Sequence, residues 1–335
     1  MIGFELYLKL NSKKFDDYLG GFFVDGTHPD MRRYLYGPLA QFSENAGKRH
    51  RPLICLLATA AVGGDPKQAW PAAAAIEHFH TAALIHDDIE DASQTRRGEP
   101  CLHIREGEGL AINAGDLALS LVTGTVVDDP GLEDAVKLRV LHELVEMTTR
   151  TIEGQALDIG WARDNRFDLS VEDYLLMANH KTAYYSGAVP LAVGAIIGGG
   201  TEPQITTLRG FGMGTGLAFQ IQDDVLNLVG TREATKKDFR SDITEGKRTL
   251  VAVHALHNSA NRDRLLEILS ARATETAVLD EAVAIMNEAG SIAFANEYAE
   301  SLVVNAKNAL ELSLPKSKAR DLLGSMADFF IKRNS

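Results

Sequence analysis

The sequence predicts an all-α fold: one large helical bundle, a single domain over residues 1–335. Apolar residues recur at helical spacing in segment after segment, alternating strand patterns are scarce, and no low-complexity linker divides the chain. Helices longer than about twenty residues exceed the usual mean and suit a bundle, here of about ten or more helices. With 45% hydrophobic and 24% charged residues, the composition is that of a folded protein.

Taken in order, the N-terminal segment carries Glu5, Lys9, Lys13 and Lys14 where a signal peptide needs an apolar run. Pro71 fits the first turn of a helix that continues as AAAAIEHFHTAALIHDDIED, until Gly98 and Pro100 break the pattern. Residues 131–162 read as a second long helix, with Leu138, Leu141, Leu144 and Val145 on one apolar stripe. A capping box, Ser170 with Asp173, opens a third. A fourth runs from near Pro203 to Leu228 and stops at Gly230, a fifth follows Lys247, and further helices fill 261–333. The most apolar stretch, Tyr184 to Gly200, holds Pro190 and several glycines and reads as a buried, kinked helix, so no stable membrane insertion is expected.

A formal net charge of −12 argues against a general nucleic-acid binder or a basic membrane-surface protein. Two cysteines, Cys55 and Cys101, exclude a disulfide scaffold and favour a reducing compartment, so a cytoplasmic location is expected.

Two acidic clusters carry the chemistry. In His86-Asp87-Asp88-Ile89-Glu90-Asp91, a helix would bring Asp87, Asp88 and Asp91 within an arc of about 100°. Gln222-Asp223-Asp224-Val225-Leu226-Asn227 repeats the spacing, with an amide last. Both lie in otherwise apolar helices. Two like charges about 5 Å apart repel by about 3 kcal/mol at an effective dielectric of 20, so each cluster needs a cation, a proton or a basic partner. All-oxygen donors favour a hard ion such as Mg²⁺, which shares its remaining positions with water and phosphate oxygens. A salt-bridged polar helix end accounts for one such cluster taken alone, and less well for two that match.

Cationic segments flank them: Lys48, Arg49 and Arg51 in GKRHRP, Arg96-Arg97-Gly98, Lys236-Lys237, and Lys247-Arg248. In so acidic a chain they suggest a substrate anion shared between cations and metal, arginine offering forked contacts and lysine a point charge. His78 and His80 lack the helical spacing and the cysteine support of a zinc site and read as core or pocket histidines. Gly210, Gly212, Gly214 and Gly216 follow no strand and read as close helix packing rather than a phosphate loop.

Together these motifs resemble the trans-isoprenyl diphosphate synthases, or polyprenyl synthetases, from about Asn45 to the C-terminus. GKRHRP is similar to the family's GGKRxRP, with Ala46 for the first glycine, and DDIED with its trailing RRG resembles the first aspartate-rich motif. HKT at 180–182, FQIQDDVLN and KKDFRSDITEGKRTL resemble the elements that follow, in the same order. The resemblance implies the class I isoprenoid synthase fold, an α-bundle around a deep cavity, in a homodimer. It implies three Mg²⁺ ions, two held by Asp87, Asp88 and Asp91 on an allylic diphosphate, the third by Asp223 with Asp224 and Asn227. Arg96, Lys181, Lys237 and Lys247 would contact the allylic diphosphate. Lys48, Arg51, His80 and Arg97 would hold isopentenyl diphosphate, and Thr182 and Gln220 would lie near the developing carbocation. Asn227 stands where many members carry aspartate, although some geranylgeranyl diphosphate synthases read DDxxN.

The residue types agree with such chemistry. Diphosphate leaves poorly unless metal ions and cationic side chains neutralise its charge. An allyl cation then forms, the double bond of isopentenyl diphosphate attacks its C1, and a proton leaves, while apolar walls exclude water. Product length should be set below Asp87, where Ala82 and Ala83 leave the shaft open and Phe79 offers a deeper stop. The pattern looks most like geranylgeranyl (C20) synthases, with a longer polyprenyl product as the alternative. A class I terpene cyclase would not need Lys48, Arg51 and Arg97, and its second motif would want a glutamate where Thr231 stands. A non-catalytic subunit would be expected to have lost carboxylates.

Overall fold

The computed structural model describes residues 3–23, 26–44, 47–230 and 240–332. Its principal helices are α1 (Phe4–Leu19), α2 (Gly37–Glu44), α3 (His50–Ala61), α4 (Trp70–Glu90), α5 (Glu108–Val127), α6 (Asp134–Arg163), α7 (Val171–Ala178), α8 (Val189–Ile197), α9 (Glu202–Val229), α10 (Leu250–Asn258), α11 (Arg262–Ser270), α12 (Thr276–Glu288), α13 (Ser291–Ser313) and α14 (Lys318–Lys332). The chain separates into two compact units. One comprises Met1–Thr148, Val189–Leu208 and Leu314–Leu323, the other Thr149–Ala188, Arg209–Ser313 and Gly324–Ser335. The boundaries fall inside α6, α9 and α14, at the start of α8 and at the end of α13.

In the first unit, α4 is apolar on nearly every side because it is a core helix: Ala72, Ala73, Ala74, Ala75, Ile76 and Phe79 are all buried. Helices α3 and α5 pack on it. Ala82 and Ile85 of α4 join Leu39, Leu102, Ala111, Ala114 and Ala118 in one cluster. The small residues let the α4 and α5 backbones approach, and Gly115 leaves room for the His86 ring. Helix α8 lies on α3, where the Thr59 hydroxyl donates to the Gly194 carbonyl at 2.9 Å. Its burial accounts for the apolar stretch read from Tyr184 to Gly200, and Pro190 falls in its first turn. Helix α5 is the one described helix long and apolar enough, by length and composition, to cross a membrane. Its alanine-rich face is spent on α4.

Beyond α4 the chain turns through a hairpin, Thr95–Arg96 paired with Glu99–Pro100. Its loop is Arg97-Gly98, with φ of 54° and 86°, the left-handed pair that a two-residue type I′ turn requires. It is the one strand pairing among the described residues and an addition to the all-α expectation.

In the second unit, the expected capping box opens α7: Ser170 Oγ accepts from the Asp173 amide at 3.1 Å, and Asp173 Oδ2 accepts from the Ser170 amide at 2.9 Å. Helix α7 runs on into a π-helical segment, Asn179–Ala188. Against it, Gly212 abuts Gly187, and Gly216 abuts Ala183, with no room for a side chain. Gly212 and Gly216 are therefore helix packing, as expected, whereas a Cβ at Gly210 would meet nothing within 4 Å and one at Gly214 only ordinary contacts. The stripe expected on 131–162 divides: Leu144 is buried, whereas Leu138 and Val145 are 59% and 62% exposed. Leu138 and Val145 lie seven residues apart and belong to a separate outward face.

Candidate active site

Helix α4 ends at Glu90, and Asp91 is its C-terminal cap. Asp88 points inward, 1% exposed, while Asp91 lies at the surface. The hairpin returns Arg96 to the helix end. Its Nε donates to Asp88 Oδ1 at 2.8 Å and its Nη2 to Asp87 Oδ2 at 3.1 Å. One guanidinium thus offsets the repulsion of adjacent carboxylates. Burial opposes its charge, but Asp88 and Asp87 win and hold Arg96 above the ordinary arginine range.

The neighbouring residue Arg97 faces a cationic group. Gly47 lies so close that a Cβ would come within 2.7 Å of the Arg97 Nη2, which is what the glycine of GKRHRP permits. Arg51, buried in the first turn of α3, sits 3.1 Å from His80 Nε2. Burial first, then Arg51, His50 and Arg97, push His80 well below its ordinary value, so the ring is neutral and accepts from the guanidinium. Burial and the charges of Arg49, Arg96 and Arg51 oppose Arg97, and Glu77 supports it. Cations held this close call for an anion.

The second set is built around Gly154 of α6. A Cβ there would strike the Lys181 backbone, so α6 and the π-helical segment touch at this point. One turn on, Asp158 meets Lys181 Nζ at 2.5 Å. Burial raises the Asp158 carboxyl, but Lys181, with Lys247 and Arg248 beyond, outweighs it and keeps the group below its usual range. A chain of hydrogen bonds follows. Thr182 Oγ1 donates to Gln220 Oε1 at 2.7 Å, Gln220 Nε2 to Asp224 Oδ1 at 2.7 Å, and the Tyr174 hydroxyl to Asp224 Oδ2 at 2.8 Å. Burial raises Asp224 and Asp242, Asp158 raises both further, and the Asp224 carboxyl adds to the rise at Asp242. Lys247 Nζ is 2.7 Å from Glu245 Oε2 and 4.0 Å from Asp242 Oδ1.

Several expectations are amended. Ala82 is packed into the α4–α5 core and lines no opening, whereas Ala83 is half-buried; Phe79 is buried. Both Asp224 oxygens are taken by protein donors, so it serves as an anchor for Gln220 and Tyr174. The Asn227 amide also has protein partners: Nδ2 donates to Ser241 Oγ at 3.1 Å and Oδ1 accepts from the Asp242 amide at 3.2 Å. Asp223 remains half-buried. Lys237 lies outside the described residues, as do Lys236, Ala46 and Thr231.

A divalent cation suits the first acidic group. Asp88 Oδ2 is buried without a hydrogen-bond partner, and the neighbouring donors are all carboxylate oxygens. Among the described residues no three His, Cys, Asp or Glu side chains stand close enough to share one ion. Arg96 draws Asp87 and Asp88 toward itself, and Asp91 lies beyond the helix end. Asp158, Tyr174, Asp242 and Glu77 were not legible as site residues, since each is defined by a partner distant in sequence or by its burial.

Residues 32–286 match the family model described as polyprenyl synthetase. A short chain isoprenyl diphosphate synthase of Methanothermobacter thermautotrophicus is 42% identical over 289 residues, 86% of each chain. The crystal structure of a geranylgeranyl pyrophosphate synthetase from Pyrococcus horikoshii superposes with a TM-score of 0.91 at 35% identity, covering 98% of both chains. A geranylgeranyl pyrophosphate synthase from Corynebacterium glutamicum, complexed with isoprenyl diphosphate and magnesium, gives 0.86 at 28% identity over 98% of both.

Proposed function

The chain belongs to the polyprenyl synthetase family and has its class I isoprenoid synthase fold, and from that premise we propose that it is a prenyltransferase that condenses isopentenyl diphosphate with allylic diphosphates, ending at geranylgeranyl diphosphate. One observation carries the reading. An acidic pair, buried Asp88 and half-buried Asp87, is bridged by Arg96 and lies one residue along a tight hairpin from the cationic group of Arg97, Arg51 and His80. That is provision for two anions, one needing metal and one not, where a cyclase needs one.

In this reading Asp87, Asp88 and Asp91 hold Mg²⁺ on the allylic diphosphate, and Asp223 carries a further ion, to a total of three. When bound, magnesium neutralises the leaving diphosphate. Arg96, Lys181, Lys247 and Lys237 clamp that diphosphate, and Lys48, Arg51, His80 and Arg97 hold isopentenyl diphosphate. Thr182 and Gln220 present oxygens to the allylic cation, and Asp224 with Tyr174 fixes Gln220. The protein works as a single domain and a homodimer in the cytoplasm. Leu138, Val145, Ile152 and Ile159, spaced by seven along α6 and each at least 38% exposed, support the dimer. Cys55 and Cys101, both buried free thiols, support the location.

The test is incubation with Mg²⁺, isopentenyl diphosphate and C5, C10 or C15 allylic diphosphates, the dephosphorylated products being sized by mass. A C20 alcohol is expected. Hydrocarbon from one substrate alone would indicate a cyclase, and no turnover with any primer would indicate a subunit that tunes another synthase. Because Ala83 is half-buried one turn before Asp87, Ala83→Phe should shorten the product by at least one isoprene unit; an unchanged distribution would refute the placement of the growing tail.

A further inference from the structure

We propose that Arg49, gripped by Asp16 and Glu77, is a positioning residue for the isopentenyl diphosphate cations, and that through it helix α1 becomes part of that half of the site. The inference rests on the reading above of Lys48, Arg51, His80 and Arg97.

Arg49 stands between Lys48 and Arg51 in the cationic run, yet it faces the protein. It is 3% exposed. Its Nε donates to Asp16 Oδ1 of α1 at 2.6 Å and its Nη1 to Glu77 Oε1 of α4 at 2.5 Å. Its Nη2 donates to the Ser43 carbonyl of α2. All three nitrogens are thus spent on protein acceptors from three different helices. Glu77 is itself buried and is neutralised here.

The backbone explains why this matters for binding. Arg49 is the N-cap of α3 and adopts φ 50°, ψ 32°, a left-handed conformation that a residue with a Cβ keeps only when its surroundings hold it. That turn separates Lys48, before the helix, from Arg51, in its first turn beside His80. Helix α1 grips the turn twice from one face. The Ser12 hydroxyl, whose proton is shared with the Leu8 carbonyl at 2.7 Å, reaches the Lys48 carbonyl at 3.2 Å, and Asp16, one helical turn on, takes the Arg49 side chain. Phe15 and Tyr18 seat α1 on Trp70 at the start of α4. Glu77 also supports Arg97 electrostatically, so the same carboxylate serves both arginines. Helix α1 lies outside the matched family segment 32–286, yet it fixes the geometry of a motif inside it.

The experiment compares full-length Arg49→Met, Arg49→Lys and Asp16→Asn with wild type, measuring kcat and the KM for each substrate together with thermal unfolding. Arg49→Met is expected to raise the KM for isopentenyl diphosphate about tenfold while the allylic KM stays within about twofold, and Arg49→Lys to recover part of the loss. Asp16→Asn, which keeps the shape at a partly exposed carboxylate, is expected to raise the same KM about threefold. Should Arg49→Met fail to fold, Asp16→Asn decides. Equal rises in both KM values, or none, at wild-type unfolding temperature overturn the positioning role alone. Wild type that condenses no primer overturns the proposed function and this inference with it.

Discussion

His78 shows how much one buried residue can contribute to pH dependence. Its ring lies between Phe22 and Phe23, with centroids 5.1 and 5.7 Å away, both edge-on. Burial, with help from Arg49, pushes it down to about 4 from an ordinary 6.5. The unfolded chain therefore binds the proton first, and stability is lost as pH falls from 6.5 toward 4, by about 3 kcal/mol from this group. Urea unfolding at pH 7 and 4.5 should register the loss, and His78→Phe should reduce it by the share of this group, the buried ring of His80 supplying a further share; a mutant curve parallel to wild type would assign the proton elsewhere. Asp158 makes the complementary case. Asp158→Asn leaves Lys181 without its carboxylate, and kcat/KM for the allylic diphosphate should fall about tenfold or more, with the KM for isopentenyl diphosphate unmoved. A uniform loss for both substrates would mean that Asp158 only supports the fold. Asp87, Asp88 and Arg96 were legible in the sequence because their spacing is local. The pairs Asp158–Lys181, Tyr174–Asp224 and Arg49–Glu77 were not, because residues 23, 50 and 28 positions apart meet only through helix packing.

At the scale of elements, the site depends on helices that approach closely. Gly154 lets α6 touch the π-helical segment at Lys181, and that contact brings Asp158 into range one turn later. Gly154→Val should push the segment away, cost about 1–3 kcal/mol in stability and lower kcat more than it raises either KM. Calorimetry and steady-state kinetics on one preparation would separate the two effects, and an active variant with only a lowered unfolding temperature would remove Gly154 from the positioning of Lys181. Gly212 and Gly216 were readable as packing because no strand preceded them; Gly210 and Gly214, read the same way, have room for a Cβ. The π-helical stretch was not readable, since 179–188 carries an ordinary helical pattern; in the structure it packs against Gly154 and Gly212.

For the whole molecule, the sequence's helical periodicity is enough to reach an all-α bundle, because apolar spacing reports which face is covered. It does not report what covers it, which is why the 131–162 stripe was read as one and divides into two. The outward stripe through Val145 is the face proposed to meet a second copy. Sedimentation should give twice the 36.4 kDa chain mass for wild type, and Val145→Glu should shift it toward the single-chain value. A 36.4 kDa wild-type species would leave that face without the proposed partner.

The hairpin after α4 also sets a length tolerance. Arg96 and Arg97 are consecutive, yet one clasps the acidic pair and the other lies over Gly47, so a two-residue loop acts as a gauge block between the two proposed diphosphate anchorages. Insertion of even one residue at 97–98 would put the reacting carbons out of register with each other, whereas the turn at 128–133, which spaces nothing in the site, could be lengthened without affecting the chemistry.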